Sequence, residues 1–261
     1  MTSTGQRSKR TLERLPALRA VIRAEMSKVA TLPWTWLVLA VAAVFVGVAA
    51  VFANAEVGVT GVAARDPSVL PDTFGMSWSV YIFMIMAAVV VGSDLRSGEL
   101  LTGLITVPKR TVLAVAKLTV LTGLGLVFGT GLFAMDRVIR ELVAGVTGAS
   151  LLNLETLRMG VGYLVSLVVF MCVAAALTLL LRHAMVALAI LLLFPFLVAP
   201  LLGRIAPSVS ALLPHNASAT VVADSGQVEY ALGMGEGFAL LAAWALVGAA
   251  VYTVVLVTRD N

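Results

Sequence analysis

Six apolar runs divide the chain, at 32–53, 74–92, 112–134, 159–181, 185–205 and 236–257. A helix needs about 20 apolar residues to cross the hydrocarbon core of a bilayer, and each run meets that length. Together they hold 130 of the 261 residues. Only 12% of the chain is charged, against about 25% in an ordinary soluble domain. A soluble fold of this size would leave large apolar patches in water. The sequence therefore predicts an all-α integral membrane protein with six transmembrane helices. Residues 1–31 form a basic tail with an interface helix, and 32–257 form one membrane domain.

The ionisable residues inside the runs are Lys117, Arg204 and Glu236, each near a span end where its side chain can snorkel to the surface. None sits at mid-membrane, which disfavours a proton pump or an ion-coupled carrier. Cys172 is the single cysteine, so no intrachain disulfide or cysteine metal cluster can form. His183 and His215 fit no H-E-x-x-H pattern, the chain has no G-x-x-x-x-G-K-[ST] loop to cradle ATP, and it lacks the G-x-S-x-G elbow of serine hydrolases. No carboxylate pair faces the membrane interior as an aspartyl protease would need. The expectation is a non-enzyme that binds no cofactor of its own, engaged in transport or assembly.

Charge sets the expected orientation. With the N-terminus inside, the inner segments carry 13 Lys/Arg against 5 Asp/Glu, and the outer ones 5 against 9. The positive-inside rule then places both termini in the cytoplasm of a multi-pass plasma-membrane protein. Ala53-Asn54-Ala55 mimics a signal-peptidase site, but the basic region and the apolar run before it are both too long for a signal peptide.

Residues 12–30 read as an amphipathic helix with Leu15, Leu18, Ile22, Met26 and Val29 on one stripe and Arg14, Arg23 and Lys28 off it. It either lies in the headgroup plane of the anionic leaflet or simply anchors the first span. The inner loop 92–110 mixes charges with Leu95, Leu101, Leu104 and Ile105, as expected of a short helix docking into a partner's groove, and Pro108 ends it. Gly123, Gly125, Gly129 and Gly131 in the third span admit a close helix approach, either between subunits or within the chain. Asp136, Arg137, Arg140 and Glu141 then read as a short outer surface helix. Pro195 and Pro200 predict a kinked fifth span, lining a path or merely packing bent. Leu212–Ala217 suggests a partly re-entrant turn, Asn216-Ala217-Ser218 matches a glycosylation sequon, and His215 reads as a loop surface histidine.

Three stretches resemble the membrane subunits of type-2 ATP-binding-cassette (ABC) transporters, in the short single-permease form common in actinobacteria. Glu25-Met26-Ser27-Lys28 before Pro33-Trp34-Thr35-Trp36 is similar to the acidic-x-x-Lys segment entering span one. Asp94, Gly98, Leu101 and Leu104, Pro108-Lys109-Arg110 and Ala116-Lys117 follow the order of the family's loop after span two, with Asp94 in place of a glutamate and Glu99 in place of a threonine. Leu213-Pro214-His215-Asn216-Ala217 is similar to its L-P-x-x-A. The resemblance implies a coupling helix between spans two and three that docks on a separate ATPase through Asp94, Arg96, Gly98, Glu99, Leu101, Leu104, Pro108, Lys109 and Arg110. It implies an interface helix bracing that region through Arg23, Glu25 and Lys28. It further implies a permease subunit of an exporter, and a pathway without mid-membrane charge favours amphipathic or hydrophobic cargo such as an antibiotic, peptide or lipid over a small ion. The partners would be ABC ATPase subunits carrying ATP–Mg, a second permease copy or sister permease, and membrane lipids, with no nucleic acid. A membrane scaffold without transport activity is the alternative.

Overall fold

A computed structural model describes residues 18–60, 74–98, 110–144, 153–222 and 232–258, with the backbone alone at 53–60, 74 and 144. Among the described residues the secondary structure is helical throughout, with no strand. Helix α1 covers 18–31 and turns sharply into α2, Pro33–Thr60. Pro33 opens α2, where its missing N–H costs nothing. The elbow is tied by the Trp36 indole donating to the Ala30 carbonyl at 2.8 Å and the Thr31 hydroxyl donating to Lys28 O at 2.8 Å. Among the described residues, six helical segments are long and apolar enough to cross a membrane, from Pro33–Phe52 to Met234–Thr258. They overlap all six runs read from the sequence.

Helix α3, Phe74–Ser97, ends where Gly98 takes a left-handed conformation at φ 70°, a helix stop that favours glycine. Helix α4, Arg110–Ala144, has 35 residues and so reaches about 52 Å, well beyond a hydrocarbon core of about 30 Å. This corrects the expectation of a separate surface helix: Asp136, Arg137, Arg140 and Glu141 continue α4 without a break. No glycine or proline interrupts 132–144, and Asp136, fully buried, is neutralised one turn on by Arg140 through Nε at 2.8 Å and Nη2 at 3.1 Å. Arg137 also reaches Asp136, at 2.9 Å, and its guanidinium lies over the Phe133 ring.

Helix α5, Leu154–Leu181, is the hub, packed by α3, α4, the start of the fifth span and the last span. Asn153 caps its start by accepting from the Glu155 N–H, meeting one of the amide donors a helix leaves open. Tyr163, Leu167 and Met171 are fully buried on it, and the Tyr163 hydroxyl bonds Ser79 of α3 at 2.8 Å. Gly125 and Gly129 of α4 face Leu167 and Met171, so a Cβ at Gly125 would stand 2.4 Å from the Met171 sulfur. The G-x-x-x-G pair thus serves packing within the chain, while Gly123 and Gly131 face open space.

The fifth span stays helical but changes register midway. Helix α6, Ala184–Leu193, passes into a π-helical turn at Phe194–Val198 and resumes as α7, Ala199–Ile205. Pro195 and Pro200 withhold backbone donors there, and the wider register absorbs the loss. Two short helices follow, α8 at Pro207–Ala211 and α9 at Pro214–Val222, before the last span, α10, Met234–Thr258. Helix α9 lies against α5 and α10, with Val221 seated between Gly162 and Gly237.

The sequon's side chains find partners within the protein, and the expectation of a surface histidine at 215 is corrected. The Asn216 amide donates to Ser210 O at 2.7 Å and Oγ at 2.9 Å, and Ser218 donates to Ser166, so the sequon's side chains are committed to packing. His215 is half-buried, its Nδ1 at 2.7 Å from the Tyr81 hydroxyl of α3. It is a docking residue of α9, and burial lowers its pKa below the ordinary 6.5.

Candidate functional site

At the end of the bundle that holds α1, four charged side chains from three helices converge. The packed face of α1 comprises Leu18, Val21, Ile22, Glu25, Lys28 and Val29, while Arg19, Arg23 and Met26 are exposed. The inward face is therefore rotated from the stripe expected, because Glu25 and Lys28 stand within reach of partners that neutralise them. Asp94, in the last turn of α3, is only 3% exposed and accepts from Lys28 through Oδ1. Its Oδ2 accepts from Lys117 of α4 at 2.5 Å, and Lys117 also donates to Glu25 Oε2 at 2.9 Å.

Two carboxylates and two ammonium groups sum to zero, the condition on which buried charge is tolerable. Lys117 is 8% exposed: it does not snorkel outward as the sequence suggested but turns into the bundle, where two carboxylates offset its desolvation. Beneath the quartet is a cavity of about 20 Å³ lined by Glu25, Asp94, Lys117 and Tyr252, large enough for one water. The network locks α1, α3 and α4 together directly above the point where the chain leaves α3.

The residues expected to meet a partner differ in where they point. Asp94 faces inward, with both carboxylate oxygens engaged by lysines of this chain. Arg96 is exposed, its Nε donating back to Gly92 O at 3.3 Å, and Gly98 makes the stop that releases the chain from α3. Arg110 opens α4 and donates through Nη1 to Val257 O at 3.2 Å, placing a cation on the C-terminal carbonyls of α10, where the helix dipole favours it. Glu99, Leu101, Leu104, Pro108 and Lys109 lie outside the described residues.

No family model matches the sequence, and no curated protein matches it.

Proposed function

We propose that the chain is the membrane-spanning subunit of an ATP-driven exporter, working as a pair of permeases with separate ATPase subunits that carry ATP–Mg. It would sit in the plasma membrane with both termini in the cytoplasm and move an amphipathic or hydrophobic cargo. One observation carries the proposal. Glu25 and Lys28 from the helix before span one, and Asp94 and Lys117 from either side of the inner loop, meet in one buried ion network at its root.

A coupling loop needs such a root. Nucleotide can drive a two-state membrane domain only through its different affinity for the two states, passed on by a stiff contact. The loop leaves at Gly98 and returns at Arg110. Its departing helix is pinned to α1 and α4 by Asp94, and its returning helix to α10 by Arg110. Force applied between those points would move α1, α3, α4 and α10 as a unit rather than flex a strand of chain. Arg96, exposed beside the root, is the described side chain best placed to meet the ATPase.

The test is to tag the C-terminus, solubilise native membranes gently and identify what co-purifies. A phosphate-loop ATPase in about equal amount, lost on Arg96→Glu while the protein still inserts, is the expected result. A homo-oligomer free of ATPase, or a non-ATPase partner, would refute the exporter and favour a scaffold.

A further inference from the structure

Helix α9 is a wedge. It packs against both α5 and α10, and its Val221 fills the space between Gly162 and Gly237. Ten residues further along α5, about 15 Å, the two long helices touch directly: a Cβ at Gly248 would stand 3.1 Å from the backbone carbon of Cys172. Helices α5 and α10 therefore meet at Gly248 and are held apart by α9 at the end of the bundle away from the ion network. Three hydrogen bonds keep the wedge in place. Ser218 donates to Ser166 of α5 at 2.8 Å, and the Trp244 indole of α10 donates to Leu212 O at 3.0 Å, just before α9 begins. His215 Nδ1 meets the Tyr81 hydroxyl of α3 at 2.7 Å. Tyr81 is itself fixed among the rings of Trp78, Phe170 and Phe196, with centroids 5.8, 5.8 and 6.0 Å away, so its hydroxyl cannot follow a departing imidazole.

His215 is the one ionisable side chain on α9. At this end of the bundle the helices around it carry Tyr81 on α3, Glu155, Arg158 and Tyr163 on α5, Arg204 on α7 and Glu236 on α10. Glu155 pairs with Arg158 at 3.4 Å, and Glu236 accepts from the Gly233 N–H at 2.9 Å. Among the described residues no carboxylate reaches His215. An imidazolium there would be half-buried without a counter-charge, in the first turn of α9, where the helix dipole repels a cation. Protonation also makes both ring nitrogens donors, so the Tyr81 hydroxyl could no longer donate to Nδ1. We propose that His215 is a proton-operated latch: neutral, it pins α9 to α3, and protonated, it leaves Tyr81 and draws α9 out of the gap between α5 and α10. The pKa lowered by burial agrees with a site built for the neutral ring. The latch needs no ATPase and stands apart from the exporter proposal.

The experiment is hydrogen exchange read by mass spectrometry on the purified full chain in a maltoside detergent. It is run at about pH 7.5 and about pH 5, with exchange times scaled for the intrinsic pH dependence of amide exchange. Protection of 214–222 should fall about tenfold for each pH unit below about 6.5 until the folded pKa is reached, and so by up to about thirtyfold at pH 5. Residues 166–176 of α5 should keep their protection. His215→Gln, which stays neutral and retains groups that can bond Tyr81, should give α9 the same protection at both pH values. Tyr81→Phe should lower that protection about three- to tenfold already at pH 7.5. A fall of less than about twofold in the parent, a fall of the same size in His215→Gln, or loss of protection across α5 together with α9 overturns the latch. Each of those failures leaves the co-purification result for the ATPase untouched.

Discussion

Replacing Lys117 with methionine keeps an unbranched side chain, one atom shorter, and deletes one charge from the buried quartet. Lys117 is the shared member, donating to Glu25 at 2.9 Å and to Asp94 at 2.5 Å. In Lys117→Met, Asp94 keeps Lys28, but Glu25 loses its ion pair with Lys117 while only 16% of its side chain is exposed. Removing one partner of a buried pair costs about 3–5 kcal/mol, because the other charge is left without compensation. Partial rehydration of Glu25 puts the expected loss near the lower end, about 3 kcal/mol. At about 2–4 °C per kcal/mol for a chain of this size, the apparent Tm in detergent should fall by roughly 6–12 °C. Adding Glu25→Gln to that background removes the uncompensated carboxylate and should restore about 1–2 kcal/mol of the loss. Fluorescence-detected thermal melts of the four members of this cycle give the coupling directly. A Lys117→Met protein melting within about 2 °C of the parent, or a Glu25→Gln change that deepens the loss, would refute the electrostatic account of the root.

Other outcomes follow from single contacts. At Gly162 a Cβ would stand 2.6 Å from Val221 Cγ1 and 2.9 Å from its carbonyl oxygen, so Gly162→Ala should push α9 away and cost about 1–3 kcal/mol in melts. Gly131→Ala, which meets nothing within 4 Å, should be neutral or stabilising by up to about 1 kcal/mol through helix propensity. His215 has a folded pKa lowered by burial, so its contribution to stability is complete above about pH 6.5 and is lost as pH falls from there through the folded value. Melts from pH 8 to 5 should show that decline and its loss in His215→Asn. Fusing a reporter to the C-terminus should report cytoplasmic exposure, as the inner excess of Lys/Arg requires, and an outer C-terminus would overturn the six-span orientation.

Span positions were legible because a 20-residue apolar run admits few other folds. The prolines of the fifth span announced its change of register by the same local logic, since Pro195 removes a donor wherever it stands. Long-range pairing was harder to read. Glu25 and Lys28 lie three residues apart on one helix and so share a face, yet nothing in 18–31 says whether that face meets water, a partner or Asp94, 66 residues away. Lys117 gave the same apolar-flank signal whether it snorkelled or turned inward. A span end carrying a lysine, with acidic residues at two other helix ends on the same side of the spans, was the available clue. The continuation of α4 through Asp136 was masked by charge, because an i,i+4 pair reads as a surface helix until burial shows it facing protein. His215 lacked any local signal, since its partner Tyr81 sits on another helix 134 residues away.

Helix α4 also acts as a gauge. Between Lys117 and Asp136 it has 18 residues, none of them ionisable, and the two charges stand about 29 Å apart along the axis. That distance matches an average hydrocarbon layer, so the polar levels mark where the two water boundaries should fall. Lys117 is bound to α1 and α3, which prevents α4 from sliding along its neighbours to suit a thinner or thicker membrane. Mismatch must instead be met by tilting the whole bundle or deforming the lipid around it, and bilayer thickness thereby becomes a mechanical input to every helix joined at that end.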